Sequence, residues 1–154
     1  MLSQIVYKAN EGKSSMNLYI KDIEKRIGMG TKETIEQLIS EAKSWEQHLY
    51  MFKQENIYFK TKLSEVVDPS TDKNFLALAE QFQNQFILKD EFMDELIHDV
   101  REQQLKLVNL IKTNTPLSDN LIKKQKRLRH ELEYLDKDFK RIKNEFISYL
   151  ANVL

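Results

Sequence analysis

The chain has 154 residues and a mass of 18.4 kDa, and its 24 basic and 24 acidic side chains leave no net charge. It contains only three glycines, two prolines and no cysteine. β-Sandwiches, barrels and βαβ folds need many turns, so this composition excludes them and favours an all-α fold of long helices in one domain, 1–154. The lack of cysteine excludes disulfides, a thiol nucleophile and thiolate metal sites.

The N-terminal segment MLSQIVYKAN lacks the charged region and the long apolar stretch of a secretory signal. No apolar run in the sequence approaches the roughly 18 residues that a membrane-spanning helix needs. We therefore expect a cytoplasmic protein that does not bind a membrane.

Residues 1–30 predict a short N-terminal helical arm. Gly12 separates a short apolar segment from a longer amphipathic one, which ends before Gly28. The arm is either a broken fourth helix of the bundle or a segment that packs elsewhere. The apolar face of the longer segment consists of Met16, Tyr19, Ile20, Ile23 and Ile27.

The first long helix is predicted over 31–67, with Thr31 as its N-cap after Gly30. Apolar residues recur in alternating steps of three and four, which is the a/d pattern of a heptad repeat. Only Asn56 interrupts this pattern at an inward position. The inward apolar residues are Ile35, Leu38, Ala42, Trp45, Leu49, Phe52, Phe59, Leu63 and Val66.

The second long helix is predicted over 72–113. Pro69 cannot continue the first helix, and Ser70 or Asp72 can cap the second. Extra apolar residues beside the a/d positions widen its apolar stripe, so we expect it to be the central helix with two neighbours. The a/d residues are Phe75, Ala79, Phe82, Phe86, Met93, Leu96, Val100, Leu107 and Leu110, with Lys89 and Gln103 as polar interruptions.

The third long helix is predicted over 118–153, after a break at Pro116 and with Ser118 as its N-cap. Its heptad pattern is interrupted only at Gln125. Since both connections are short, neighbouring helices should run antiparallel. The predicted fold is an antiparallel up-down-up three-helix coiled-coil bundle with the short N-terminal arm.

Polar residues at inward positions give two further predictions. Gln103 and Gln125 should lie within about one turn of each other across the second connection and form a hydrogen bond with each other or with a water, because an unpaired buried amide costs roughly 1–3 kcal/mol. Lys89 should pack its aliphatic stem inside the bundle while its ammonium reaches outward.

A metal centre is not expected from the histidines. Glu95 and His98 have the Glu-x-x-His spacing of di-iron helical bundles, but such a site needs a second copy on another helix. His48 and His130 follow a tryptophan and an arginine at the corresponding spacing, so no second copy exists. In the heptad frame both Glu95 and His98 face solvent.

Nucleotide binding and acid–base catalysis are not expected either. Gly12-Lys13-Ser14 looks like the end of a phosphate-binding loop, but the first glycine of that motif would fall on Tyr7. The acidic stretch 90–102 lies mainly on outward positions, where its carboxylates are solvated or paired. We therefore predict no catalytic residues, no metal and no cofactor, and the protein is not expected to be an enzyme.

A basic stripe near the start of the third helix supports an alternative function. Residues 68–113 carry a net charge of −4 and residues 114–154 one of +3, which suits neighbouring antiparallel helices as well as a partner. The stripe could bind phosphates of a nucleic acid, as in a ribosome-associated helical protein, although acidic residues follow it and no aromatic residues interleave. It consists of Lys123, Lys124, Lys126, Arg127 and Arg129.

Large apolar residues at outward b and c positions predict an interaction patch. Exposed apolar patches usually mark interfaces, so the leading hypothesis is a non-enzymatic interaction or scaffolding protein that binds a protein partner or a second copy of itself. The alternative is that the arm, through Leu2, Ile5 and Val6, covers this patch. The patch consists of Tyr50, Met51, Ile57, Tyr58, Ile87 and Leu88.

Overall fold

A computed structural model describes residues 33–67 and 72–153, which form three α-helices with no strand among them. Helix α1 is Ile35–Val67, α2 is Lys73–Lys112 and α3 is Asp119–Val153. The predicted all-α helical bundle is confirmed. The predicted arm, including Gly12-Lys13-Ser14 and the residues expected to cover the patch, lies outside the described residues.

Helix α1 begins at Ile35, later than the predicted start at residue 31. Glu33 and Thr34 are not helical, and Thr31 lies outside the described residues. The sequence gives a physical reason for the later start. Thr34 and Gln37 have the spacing of a capping box, in which the threonine occupies the N-cap position.

The other two helix starts use the predicted caps. Asp72 Oδ1 accepts a hydrogen bond of 2.9 Å from the backbone N–H of Asn74. Ser118 Oγ accepts one of 3.3 Å from the backbone N–H of Leu121. Each side chain therefore satisfies a backbone donor that has no partner within the helix.

Helix α2 ends in a Schellman motif that is built on an asparagine. Asn114 has a φ of 50°, in the left-handed region. The backbone N–H of Thr115 donates to the carbonyl of Leu110 at 2.9 Å, and that of Asn114 donates to the carbonyl of Ile111 at 3.3 Å. These bonds satisfy the last carbonyls of α2 and turn the chain toward α3.

The contacts between helices show the direction in which each helix runs: α2 runs opposite to both α1 and α3. Positions 46, 53 and 60 of α1 contact positions 101, 94 and 90 of α2, so one set rises as the other falls. Positions 89, 92 and 103 of α2 likewise contact positions 138, 134 and 125 of α3. Positions 41 and 55 of α1 contact positions 129 and 143 of α3, so both of these sets rise together.

The core is formed by the predicted a/d residues, nearly all of which are buried or half-buried. Aromatic rings fill one end, where the ring centroid of Phe86 lies 5.9 Å from that of Phe59 and 5.1 Å from that of Phe146. Each fully buried ring or aliphatic side chain stabilises the fold by about 1.5–3 kcal/mol. No helix among the described residues is long and apolar enough to cross a membrane.

The two inward glutamines pair as predicted. Gln103 Nε2 donates to Gln125 Oε1 at 3.0 Å, and both side chains are buried. The ammonium of Lys89 points away from the a/d seam, as predicted, and forms an ion pair with Asp138 of α3. It lies beside the exposed ring of Tyr134, and the ion pair leaves the lysine side chain mostly covered.

Candidate interaction surfaces

All six residues of the predicted patch are exposed, with between 40% and 62% of their surface accessible. The structure nevertheless divides them among the three sides of the bundle. Tyr50 and Ile57 lie on the side of α1 that faces α2: Arg101 of α2 lies over the ring of Tyr50, with Cζ 5.4 Å from the centroid. Lys60, one turn from Ile57, pairs with Asp90 of α2 at 3.2 Å.

Met51 and Tyr58 follow Tyr50 and Ile57 by one residue, which rotates them by about 100° around the helix. They therefore point away from α2, toward the side on which Glu55 pairs with Lys143 of α3 at 2.9 Å. The ring of Tyr58 lies 5.6 Å from the ammonium of Lys62.

Ile87 and Leu88 diverge on α2 in the same way. Ile87 lines an open groove of about 420 Å³ between α1 and α2. Leu88 lies one turn before Phe92, whose ring makes an edge contact with Tyr134 of α3, with centroids 6.4 Å apart. Leu88 therefore belongs to the side of the bundle formed by α2 and α3.

The lining of the groove between α1 and α2 is partly apolar and partly polar. Its apolar lining comes from both helices and includes Leu63, Val67, Leu76 and Ala79. Lys60 and Glu80 stand among its polar lining residues. We call this groove, together with Tyr50, Ile57 and Ile87, the α1–α2 face.

Next to the groove, ion pairs between α1 and α2 hold the two helices together. Lys53 and Lys60 of α1 both pair with Asp90 of α2, and Lys53 also pairs with Asp94. Burial raises the pKa of Asp90, but the hydrogen bond from Lys60, the charges of both lysines and a hydrogen bond from Asn56 outweigh burial and leave it lowered. These side chains hold the two helices together and are already neutralised.

A buried asparagine supports that junction. Asn56 Nδ2 donates to the carbonyl of Phe86 at 2.9 Å and to Asp90 Oδ1 at 3.4 Å. Its Oδ1 is buried and has no hydrogen-bond partner. The polar interruption of the first heptad pattern is therefore a contact between α1 and α2.

The predicted basic stripe does not present five free cations. Arg129 pairs with Glu41 of α1 through two nitrogens, at 2.6 and 2.9 Å. Lys124 and Arg127 pair with Asp99 of α2 at 3.6 and 4.0 Å. Three of the five cations therefore join helices within the bundle. The remaining two, Lys123 and Lys126, are exposed.

The acidic stretch brings three potential metal ligands together. The ligand atoms of His98, Asp99 and Glu102 lie within 4.8 Å of one another. Both carboxylates are already paired: Asp99 forms an ion pair with Lys124, and Glu102 forms one with Lys106 at 2.9 Å. Glu95, of the Glu-x-x-His spacing, is not part of this group. The arrangement is accounted for by ion pairs.

Tyr134 is a surface residue that the sequence did not identify. It is 59% exposed and contacts Phe92, and the ammonium of Lys89 lies 5.4 Å from its ring centroid. The sequence does contain a signal for it: Tyr134 is an aromatic residue at an outward heptad position, directly before the core residue Leu135.

No protein-family model, no curated protein and no solved structure matches this chain.

Proposed function

We propose that this protein is a non-enzymatic interaction or scaffolding protein that binds a protein partner through the α1–α2 face. One observation carries the proposal: exposed apolar side chains border an open groove with both apolar and polar lining residues, while the a/d core is already filled by the three helices. Exposed apolar side chains gathered around a groove are typical of an interface. We also propose a cytoplasmic location, which the cysteine-free composition supports.

The shape of the α1–α2 face favours an amphipathic helix as the bound segment. A helix that lies in the groove between two helices presents apolar residues at every third or fourth position to the floor. Val67 and Leu76 offer it an apolar contact, and Lys60 and Glu80 lie among the polar lining residues. Such a segment would extend the packing of the bundle by a further helix.

Site-specific photo-crosslinking in the native cell tests the proposal. A photoreactive residue is placed at Ile57 or at Ile87, and a matched control is placed at Ile147 of α3, which has the same exposed fraction as Ile57, 48%, and does not line the groove. We expect positions 57 and 87 to give the same discrete crosslinked protein and position 147 to give none. Equal products from all three positions, or none from 57 and 87, would contradict the proposal.

A further inference from the structure

The side of the bundle formed by α2 and α3 carries an apolar strip of its own. Leu88 and Phe92 are one turn apart on α2, and Phe92 contacts Tyr134 across the junction with α3. Leu88 is the most exposed residue of the predicted patch, at 62%, and Tyr134 is also exposed. Lys89 and Asp138 form an ion pair beside this strip.

Charged side chains of opposite sign flank the strip on its two helices. Glu91 and Glu95 are exposed on α2, and Lys137 is exposed on α3. Within the part of the chain that the structure describes, none of these three side chains forms an ion pair. By contrast, Asp99 and Lys124, which lie nearer the α2–α3 junction, pair with each other.

The exposed charges beside the strip lie at the same height on α2 and α3. Lys89 is level with Asp138, and Phe92 is level with Tyr134. Glu91, which lies between positions 89 and 92, is therefore level with Lys137 to within about two residues, or about 3 Å. By the same register Glu95 is level with His130 to within about two residues.

We propose that this α2–α3 face binds a second copy of the chain, related by a two-fold axis parallel to the helices. Such an axis places α2 of each copy against α3 of the other, without changing the height of any residue. Glu91 of one copy then meets Lys137 of the other, and this contact occurs twice. Leu88, Phe92 and Tyr134 pack between these two contacts.

The distribution of charge favours a second copy over an unrelated partner. The exposed charges beside the strip are acidic on α2, at Glu91 and Glu95, and basic on α3, at Lys137, so the face has an acidic half and a basic half at this height. A partner must place basic groups against the acidic half and acidic groups against the basic half. A second copy related by a two-fold axis does so automatically, because α3 of each copy then faces α2 of the other. This surface is distinct from the α1–α2 face, so the inference does not depend on the proposed function.

Sedimentation equilibrium of the full chain over a concentration series tests the inference. We expect a monomer–dimer equilibrium, and we expect Leu88→Lys to raise the dissociation constant about 100-fold, because one leucine leaves the interface in each copy. At a concentration where the parent is monomeric, the unfolding midpoint should stay unchanged, since Leu88 is exposed in the single chain. Met51→Lys is the matched control: Met51 is 60% exposed, close to the 62% of Leu88, and lies on α1, outside the α2–α3 face. It should leave the dissociation constant unchanged.

A charge exchange tests the arrangement of the two copies. Glu91→Lys alone and Lys137→Glu alone should each weaken the dimer by about tenfold, because each places like charges together at two contacts. The double variant E91K/K137E should bind within about twofold of the parent, because the exchanged charges again attract. A chain that stays monomeric at every concentration, a dimer that tolerates Leu88→Lys, or a double variant as weak as the singles would overturn the inference. Crosslinking at positions 57 and 87 would be unaffected by any of these results.

Discussion

The buried side-chain amides of Gln103 and Gln125 connect all three helices by hydrogen bonds. Gln103 Nε2 donates to the carbonyl of Leu121 at 2.9 Å as well as to Gln125. Gln125 Nε2 donates to the carbonyl of Leu38 at 3.1 Å and to Glu41 Oε1 at 2.9 Å. Gln103 Oε1 is buried without a hydrogen-bond partner. The network is therefore incompletely satisfied, and an apolar core would be at least as stable.

Substitution of these glutamines should be strongly non-additive. Gln125→Leu alone removes the acceptor of Gln103 Nε2 and should lower the free energy of unfolding by about 1–3 kcal/mol. The double variant Q103L/Q125L removes both amides and should recover most of that loss. Urea unfolding of the parent, both single variants and the double variant measures the coupling. Losses that simply add would show that the amides do not act as a pair.

The ion pair between Lys89 and Asp138 should make stability depend on pH in the acid range. Burial raises the pKa of Asp138, but hydrogen bonds from Lys89 and Arg141 outweigh burial and leave it below its ordinary value of 3.8. A carboxyl whose pKa is lowered by folding stabilises the fold above its ordinary pKa, and this contribution is lost as the pH falls below about 4.

Lys89→Met tests that dependence. It should destabilise the protein near neutral pH, and the difference from the parent should shrink as the pH falls below about 4, where Asp138 becomes protonated. Urea midpoints measured from pH 3 to 7 would show this. Lys140→Met is the control, because Lys140 pairs with Asp136 on an exposed surface of α3 and such pairs contribute about 0–1 kcal/mol. A pH-independent difference for Lys89→Met would contradict the role assigned to the ion pair.

At the scale of the helices, the end of α2 depends on one backbone conformation. Asn114 adopts the left-handed region, which a residue with an ordinary side chain enters at a cost of about 1–2 kcal/mol. Asn114→Ala should therefore lower the free energy of unfolding by about 1 kcal/mol, and Asn114→Gly should change it by only a few tenths. Thermal unfolding of both variants decides the matter; an alanine variant as stable as the glycine variant would count against it.

Helix existence and capping could be read from the sequence because both depend on local chemistry. Asp72 and Ser118 were identifiable as caps because each is a small polar residue directly before an apolar periodic segment. The start of α1 was placed too early because two threonines, Thr31 and Thr34, compete for the same role there. Only the second has a glutamine three residues later.

At the scale of the whole molecule, the sequence defined the core but not the arrangement of its outer surfaces. A heptad pattern states which residues face inward; it does not state on which side of α1 the second helix lies. Tyr50 and Met51 were grouped as one outward patch for that reason. The contacts of Arg101 and Asp90 show that α2 lies on the side of Tyr50, which separates the two residues.

The nucleic-acid hypothesis also belongs to this scale and can be tested directly. Since Lys124, Arg127 and Arg129 pair with acidic groups of neighbouring helices, we expect no measurable binding to generic RNA at moderate salt. A fluorescence anisotropy titration at several salt concentrations provides the measurement. Tight binding that falls steeply with added salt, and that Lys123→Glu and Lys126→Glu abolish, would instead support the alternative function.

The buried Asn56 and the pair of Gln103 and Gln125 restrict where residues can be inserted into or deleted from the helices. Asn56 is matched to Phe86 near one end of α1 and α2, and Leu38 is tied through Gln125 to Gln103 near the other. A heptad inserted into α1 alone between these points would preserve its apolar stripe, yet shift one polar contact by about 10 Å along its neighbours. Insertions and deletions should therefore be confined to the connections between helices, or occur in matched heptads in all three helices at once.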